Sequence, residues 1–275
     1  MGAIGVCLET FFTDLDYRQR LRRLAELGFT RYEFWFHDKR FDGSRLFDEP
    51  KDFAEIAALN RELGLVCTDF IFNHPDGGIR ASMIDQRDRA QLLESLPPMI
   101  ALARQIGCPA FITTAGNVVS GLGRTAAMEA MAESLDRAAR ICEPEGITLL
   151  LEPFNTRVDH PQYFLDDPYD GITVLEQVNR PGVRMLYDIY HAQIMAGDIV
   201  AFIRRNLRWI AHVHVAGVPG RHEPREGELN YPFILGELRR LGYAGGVGLE
   251  YWPTRDPAQS LRETRAWLEG SIDGP

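Results

Sequence analysis

One pattern repeats along the whole chain. A short apolar run rich in β-branched or aromatic residues gives way to a polar loop, then to a stretch with apolar positions at helical spacing. The runs are IGVCLET (4–10), YEFWF (32–36), LVCTDFIFN (65–73), AFITTAGN (110–117), TLLLEPFN (148–155), RMLYDIYH (184–191), IAHVHVAG (210–217) and GGVGLEYW (245–252). Between them lie amphipathic stretches such as DYRQRLRRLAELGF and MEAMAESLDRAARICEPEG. Several stop at a glycine (Gly28, Gly64, Gly107, Gly242), the residue that ends a helix in a left-handed conformation without steric cost. Pro97-Pro98 marks a break or a helix start.

Eight strand-then-helix units predict parallel strands joined by helical crossovers. The count predicts an α/β fold, a (β/α)8 TIM barrel, as one domain over residues 1–275. An open doubly wound sheet would announce itself with a glycine-rich phosphate turn after the first strand, and Cys7-Leu8-Glu9-Thr10 offers none. The long polar loop at 73–88 is expected to form a mobile lid or a rim segment.

Composition narrows the partners. The 275 residues carry a formal net charge of −9, which repels a phosphate backbone and argues against a nucleic-acid partner. Four widely spaced cysteines form no Cys-x-x-Cys and imply no disulfide framework. The start shows no secretory signal, and no apolar run nears the roughly 18 residues of a membrane helix. No membrane partner and a cytoplasmic location are therefore expected.

In a (β/α)8 barrel, chemistry gathers at the C-terminal ends of the strands. Glu152, Asp188, His214 and Glu250 arrive there from four consecutive predicted strands, each acid directly after an apolar stretch. Any one of the acids alone reads as an ordinary ion pair or helix cap. Four donors at one level read as a site for a divalent metal ion, with carboxylate and imidazole suiting Mn2+, Mg2+ or Co2+. His212 lies one pleat deeper, so it is expected to be a satisfied interior histidine. His191 and Arg221 are candidates for substrate binding, as are Asn73 and Asn117 at the ends of the third and fourth strands. Glu9, Glu33 and His37 lie near the first two strand ends, and aromatics such as Phe34, Trp35, Tyr190 and Trp252 are candidates to wall a small-molecule pocket.

Three segments carry a resemblance: ITLLLEPFNTRVDHPQYF, MLYDIYHAQIMAGD and AGVPGRHEPREGELNYPFILGELRRLGYAGGVGLEYWP. They resemble the hydroxypyruvate isomerase family, within the xylose isomerase-like superfamily of metal-dependent barrels. The likeness is dense over residues 145–255 and thinner before that. It implies that Glu152 and Glu250 are the proton donor and acceptor, that Asp188 is an acidic metal ligand, and that His191 and Arg221 lie near substrate. It also implies an aldose–ketose type isomerisation of a small hydroxy-keto acid (hydroxypyruvate to tartronate semialdehyde, or a close analogue) through an enediolate. Many hydroxypyruvate isomerases carry glutamine where this chain has His214, and HVHVAG departs from their HxQxAD in a second position, Gly217. Ketose 3-epimerases do place a histidine ligand there, which makes a ketose epimerase the leading alternative. A keto-inositol dehydratase and a non-catalytic sugar-binding barrel are the others, and an abasic-DNA endonuclease of this fold is disfavoured by charge. Association into homo-oligomers is expected from the relatives.

Overall fold

The computed structural model describes Gly2 and residues 4–272. Its strands are β1 Ile4–Cys7, β2 Arg31–Phe34, β3 Lys39–Phe41, β4 Leu46–Asp48, β5 Val66–Ile71, β6 Ala110–Thr113, β7 Thr148–Leu151, β8 Val183–Asp188, β9 Ile210–Val215 and β10 Gly246–Leu249. Eight of them close a parallel barrel in the order β1-β10-β9-β8-β7-β6-β5-β2, while β3 and β4 pair as a separate hairpin. Helices α1 Tyr17–Glu26, α2 Phe53–Leu63, α3 Arg89–Glu94, α4 Leu96–Ile106, α5 Arg124–Cys142, α6 Pro168–Val178, α7 Ile189–Met195, α8 Ile199–Asn206, α9 Tyr231–Arg240 and α10 Pro257–Ile272 lie between and after the strands. The (β/α)8 expectation therefore holds.

Local chemistry sets the boundaries. Asp16 opens α1 with a reciprocal capping box to Gln19, and Asp52 opens α2 by accepting from Ala54 and Glu55 N–H. Helix α4 begins at Leu96 with prolines in its first turn, where the missing N–H groups cost nothing, so Pro97-Pro98 is a helix start. A large apolar cluster fills the space between barrel and helices. A smaller one joins Phe36, Ile71, Ala110, Ile112, Leu150 and Leu186.

Most of the apolar runs extend past the strands they predict: 148–155 yields Thr148–Leu151, and 184–191 passes at Ile189 into α7. The surplus residues, 152–155 and 189–191, mix polar and apolar types but stay buried like the strands they follow. The hairpin β3–β4 is an addition. Asp42 builds its turn by accepting from Ser44 and Arg45 N–H, and Phe41 packs 5.3 Å from Trp35 and 5.4 Å from Trp252. In the 73–88 loop, Ala81, Ser82, Met83 and Ile84 are buried and Met83 N–H donates to Ala115. That packing makes the loop an anchored rim segment rather than a lid. All four cysteines are buried and free, and no helix among the described residues is long and apolar enough to cross a membrane.

Candidate active site

Strand register brings the rim residues to one level. Asp188 on β8 is the direct partner of His214 on β9, and His214 is the partner of Gly248, two residues before Glu250. Glu152 follows β7, held by its own N–H to Thr113 and by the Tyr163 hydroxyl, which donates to its carbonyl. One potential ligand atom from each of Glu152, Asp188, His214 and Glu250 lies within 4.8 Å of the other three. All four side chains are buried.

Two of the four donors, Asp188 and Glu250, are steered by hydrogen bonds from neighbours. Asp188 caps α7 with Oδ1, accepting from Tyr190 and His191 N–H, which leaves Oδ2 toward the centre. Glu250 Oε1 accepts from the Trp35 indole at 2.8 Å. Its Oε2 accepts from Arg221 Nη2 at 2.6 Å and lies 3.0 Å from His214 Nδ1. Arg221 Nη2 also reaches Asp188 Oδ2, at 3.2 Å. Glu152 Oε1 and His214 Nδ1, 3.6 Å apart, have no hydrogen-bond partner among the described residues.

Electrostatics separates the two glutamates. Burial pushes Glu152 up to about 8, Glu250 and Asp188 add to the rise, and His214 restrains it. Burial acts on Glu250 too, but Arg221 and His214 outweigh it and hold that carboxyl well below the usual range. Burial likewise raises Asp188. Three crowded carboxyl groups around an unpartnered imidazole nitrogen suit a divalent cation, which would replace the proton held on Glu152.

The remaining candidates divide. His191 is buried, and its Nδ1 accepts from the Asn155 backbone at 3.2 Å and lies 2.7 Å from the Asn155 amide nitrogen. Its proton then sits on Nε2, 3.5 Å from Asp188 Oδ2 and without a hydrogen-bond partner. Burial, followed by Arg221, keeps this imidazole neutral. Arg221 is buried with its Nε unpartnered. Asn73 and Asn117 do not join the site. Asn73 is buried and ties two loops together, donating to Ala81 and Thr114 carbonyls and accepting Thr114 N–H. Asn117 bridges to Tyr163. Neither lines the cavity over the donors, so the strand-end position that selected them did not carry their side chains into it.

That cavity holds about 110 Å³. Glu152, Glu250 and Arg221 form its polar floor, His74 and His160 its polar wall, and Trp35, Phe36, Leu46, Ile71, Ile112 and Phe154 most of the apolar remainder. A larger open groove near the start of β8, lined by Arg180, Arg184, Arg208 and Trp209, lies away from these groups.

The chain matches the xylose isomerase-like TIM barrel family over residues 21–270. It belongs to that family. A Homo sapiens protein provisionally named hydroxypyruvate isomerase is 41% identical over 190 residues, 67% of each chain. The 2-oxo-tetronate isomerase of Pectobacterium atrosepticum is 31% identical, covering 98% of this chain and 99% of that one. A crystal structure from Brucella melitensis, described as an AP endonuclease of family 2, shares a TM-score of 0.85 at 34% identity over 98% of both chains. These relatives make the xylose isomerase-like barrel described here a hydroxypyruvate isomerase-like enzyme of the isomerase class.

Five other polar side chains take their places from the closed barrel and its loops. Glu9 accepts Trp35 N–H and stands 3.8 Å from Lys51, beneath the indole that holds Glu250. His160 stacks on Phe154 and faces the cavity; its signal lay in the loop segment VDHPQYF. Glu33 and His212 meet inside the barrel, Oε2 to Nε2 at 2.9 Å, so His212 is interior as expected, but it is not satisfied: its Nε2 has no aligned hydrogen bond among the described residues. His37 lies beside Asp38 and Arg80, outside the cavity lining.

Proposed function

We propose that this barrel is a divalent-metal-dependent isomerase of a small hydroxy-keto acid, converting hydroxypyruvate to tartronate semialdehyde or acting on a close analogue. The supporting observation is the four-donor cluster, with Glu152 Oε1 and His214 Nδ1 left unpartnered at its centre. Glu152, Asp188, His214 and Glu250 would hold Mn2+, Mg2+ or Co2+. When bound, the metal supplies a Lewis acid for a carbonyl and the adjacent hydroxyl.

The chain's own groups supply the rest. Glu152 and Glu250 move a proton between the two neighbouring carbons through an enediolate, one taking it and one returning it, work that typically contributes about 10²–10⁴-fold. Arg221 offers a guanidinium to the substrate carboxylate, and His191 offers its Nε2–H to an oxygen. Trp35, Phe36, Ile71 and Ile112 keep bulk water from the carbanion-like species.

Cavity size and the arginine favour a short acid, and the names of the relatives agree. A ketose 3-epimerase is the second reading, favoured by His214 at the metal-binding position. The DNA activity named for the Brucella structure fits this chain poorly, given its net charge of −9 and a cavity of about 110 Å³. Solvent deuterium incorporation followed by NMR tests the proposal across hydroxypyruvate, 2-oxo-tetronate and several ketohexoses. Exchange of the α-protons of the short acids is expected. Exchange confined to the ketohexoses would select the epimerase, and exchange in none would end both readings.

A further inference from the structure

The interior of a (β/α)8 barrel is ordinarily filled by layers of branched aliphatic side chains. Here the sector between β2, β5 and β9 holds Glu33, Asp69 and His212, buried beneath His214. Glu33 is the hub. Its Oε1 lies 3.0 Å from His214 Nε2, and its Oε2 lies 2.9 Å from His212 Nε2. Asp69 stands 3.8 Å from the far nitrogen, His212 Nδ1. Among the described residues no aligned hydrogen bond reaches either Glu33 oxygen, and the two imidazoles stand at 2.9 and 3.0 Å from them. A buried carboxylate is costly without partners; the two imidazoles offset that cost for Glu33, and Asp69 stands against the far side of His212.

Strand β10 makes the room. Gly248 is the register partner of His214, and a Cβ built there would collide with Glu33 Oε1 and stand 2.8 Å from His214 Cδ2. Its φ is not in the left-handed region, so what this glycine supplies is space for the Glu33–His214 contact.

We propose that Glu33 is a positioning residue, orienting the His214 imidazole through Nε2 so that Nδ1 faces Glu152 and Glu250, with His212 and Asp69 bracing Glu33 from below. A metal-binding imidazole gives up one lone pair and carries its proton on the other nitrogen. A carboxylate at that second nitrogen fixes the ring and raises its basicity. This rests on the metal site proposed above. It accounts for a glutamate, two histidines and a glycine on three strands that substrate contact does not explain.

The test is Mn2+ binding to metal-free protein by calorimetry, together with the visible spectrum of the Co2+ form. Glu33→Gln keeps the shape and removes the charge. It is expected to weaken Mn2+ binding about 10- to 100-fold and to alter the Co2+ spectrum. Glu33→Asp, which restores the charge, is expected to recover part of the affinity. Gly248→Ala leaves every polar group in place and crowds the same contact, so it too is expected to bind Mn2+ more weakly; it carries the test if Glu33→Gln does not fold. Affinity and spectrum equal to wild type in the folded variants would overturn the inference while leaving the metal site standing. A second equivalent of Mn2+ in the wild type, lost in Glu33→Gln, would also overturn it, because Glu33 would then be a ligand. Wild-type protein that binds no divalent metal would overturn the underlying site as well.

Discussion

Glu152 and Glu250 occupy equivalent positions, each one residue past an apolar strand, yet they hold their protons very differently. Glu250 has Arg221, Trp35 and His214 around it, whereas Glu152 Oε1 has no hydrogen-bond partner. Replacing either by glutamine removes an acid–base group without changing volume. Glu152→Gln and Glu250→Gln are each expected to reduce turnover by at least about 10²-fold, read by steady-state kinetics, with a retained cooperative melt. Full activity in both would rule them out as the proton-transfer pair. The raised Glu152 also predicts a pH signature in metal-free protein. A folded value of about 8 against an ordinary 4.5 means that the folded state keeps a proton the unfolded state has released. That contribution is fully present below about 4.5 and is lost as pH rises toward 8. Melting curves in chelator are therefore expected to show the wild type losing more stability than Glu152→Gln between those limits. Parallel curves would contradict the burial argument.

Among the elements, the exits of β5 and β6 show how an end-of-strand position can serve structure alone. Asn73 donates to Ala81 and Thr114 and accepts from Thr114, so its amide joins the rim loop to the following strand's exit. Asn73→Ala would strand Thr114 N–H and two carbonyls in a buried place. A loss of about 1–3 kcal/mol is expected from denaturant titration, with KM unchanged where the variant is folded. A raised KM at unchanged stability would return Asn73 to the substrate. The hairpin β3–β4 acts at the same scale from the other side of the mouth. Leu46 lines the cavity and Phe41 packs on Trp35, whose indole holds Glu250. An apparent loop after the second strand thereby shapes the pocket.

For the whole molecule, the eightfold alternation was legible because each barrel strand is a compact apolar run and many helices carry a cap or a glycine stop. Glu152, Asp188, His214 and Glu250 were legible for the same reason: each stands where an apolar run meets the rim. What the chain did not disclose depends on closure. The meeting of Glu33 with His212 and His214 joins β2 to β9 across the barrel interior, and no local pattern encodes which inward residues will touch. The apolar runs at 148–155 and 184–191 do not mark where the strands stop, because Phe154, Ile189 and Tyr190 continue the hydrophobic pattern past the strand ends. The hairpin is not legible in the sequence because its strands are three residues each and half exposed. On the function proposed above, closure of the barrel assembles a divalent-metal site from four adjacent strands. Its most direct test is turnover of hydroxypyruvate by purified protein before chelation, after chelation, and after addition of Mn2+, Mg2+ or Co2+. Loss of activity on chelation and recovery with one bound equivalent of metal are expected; turnover indifferent to chelation would rule the metal site out.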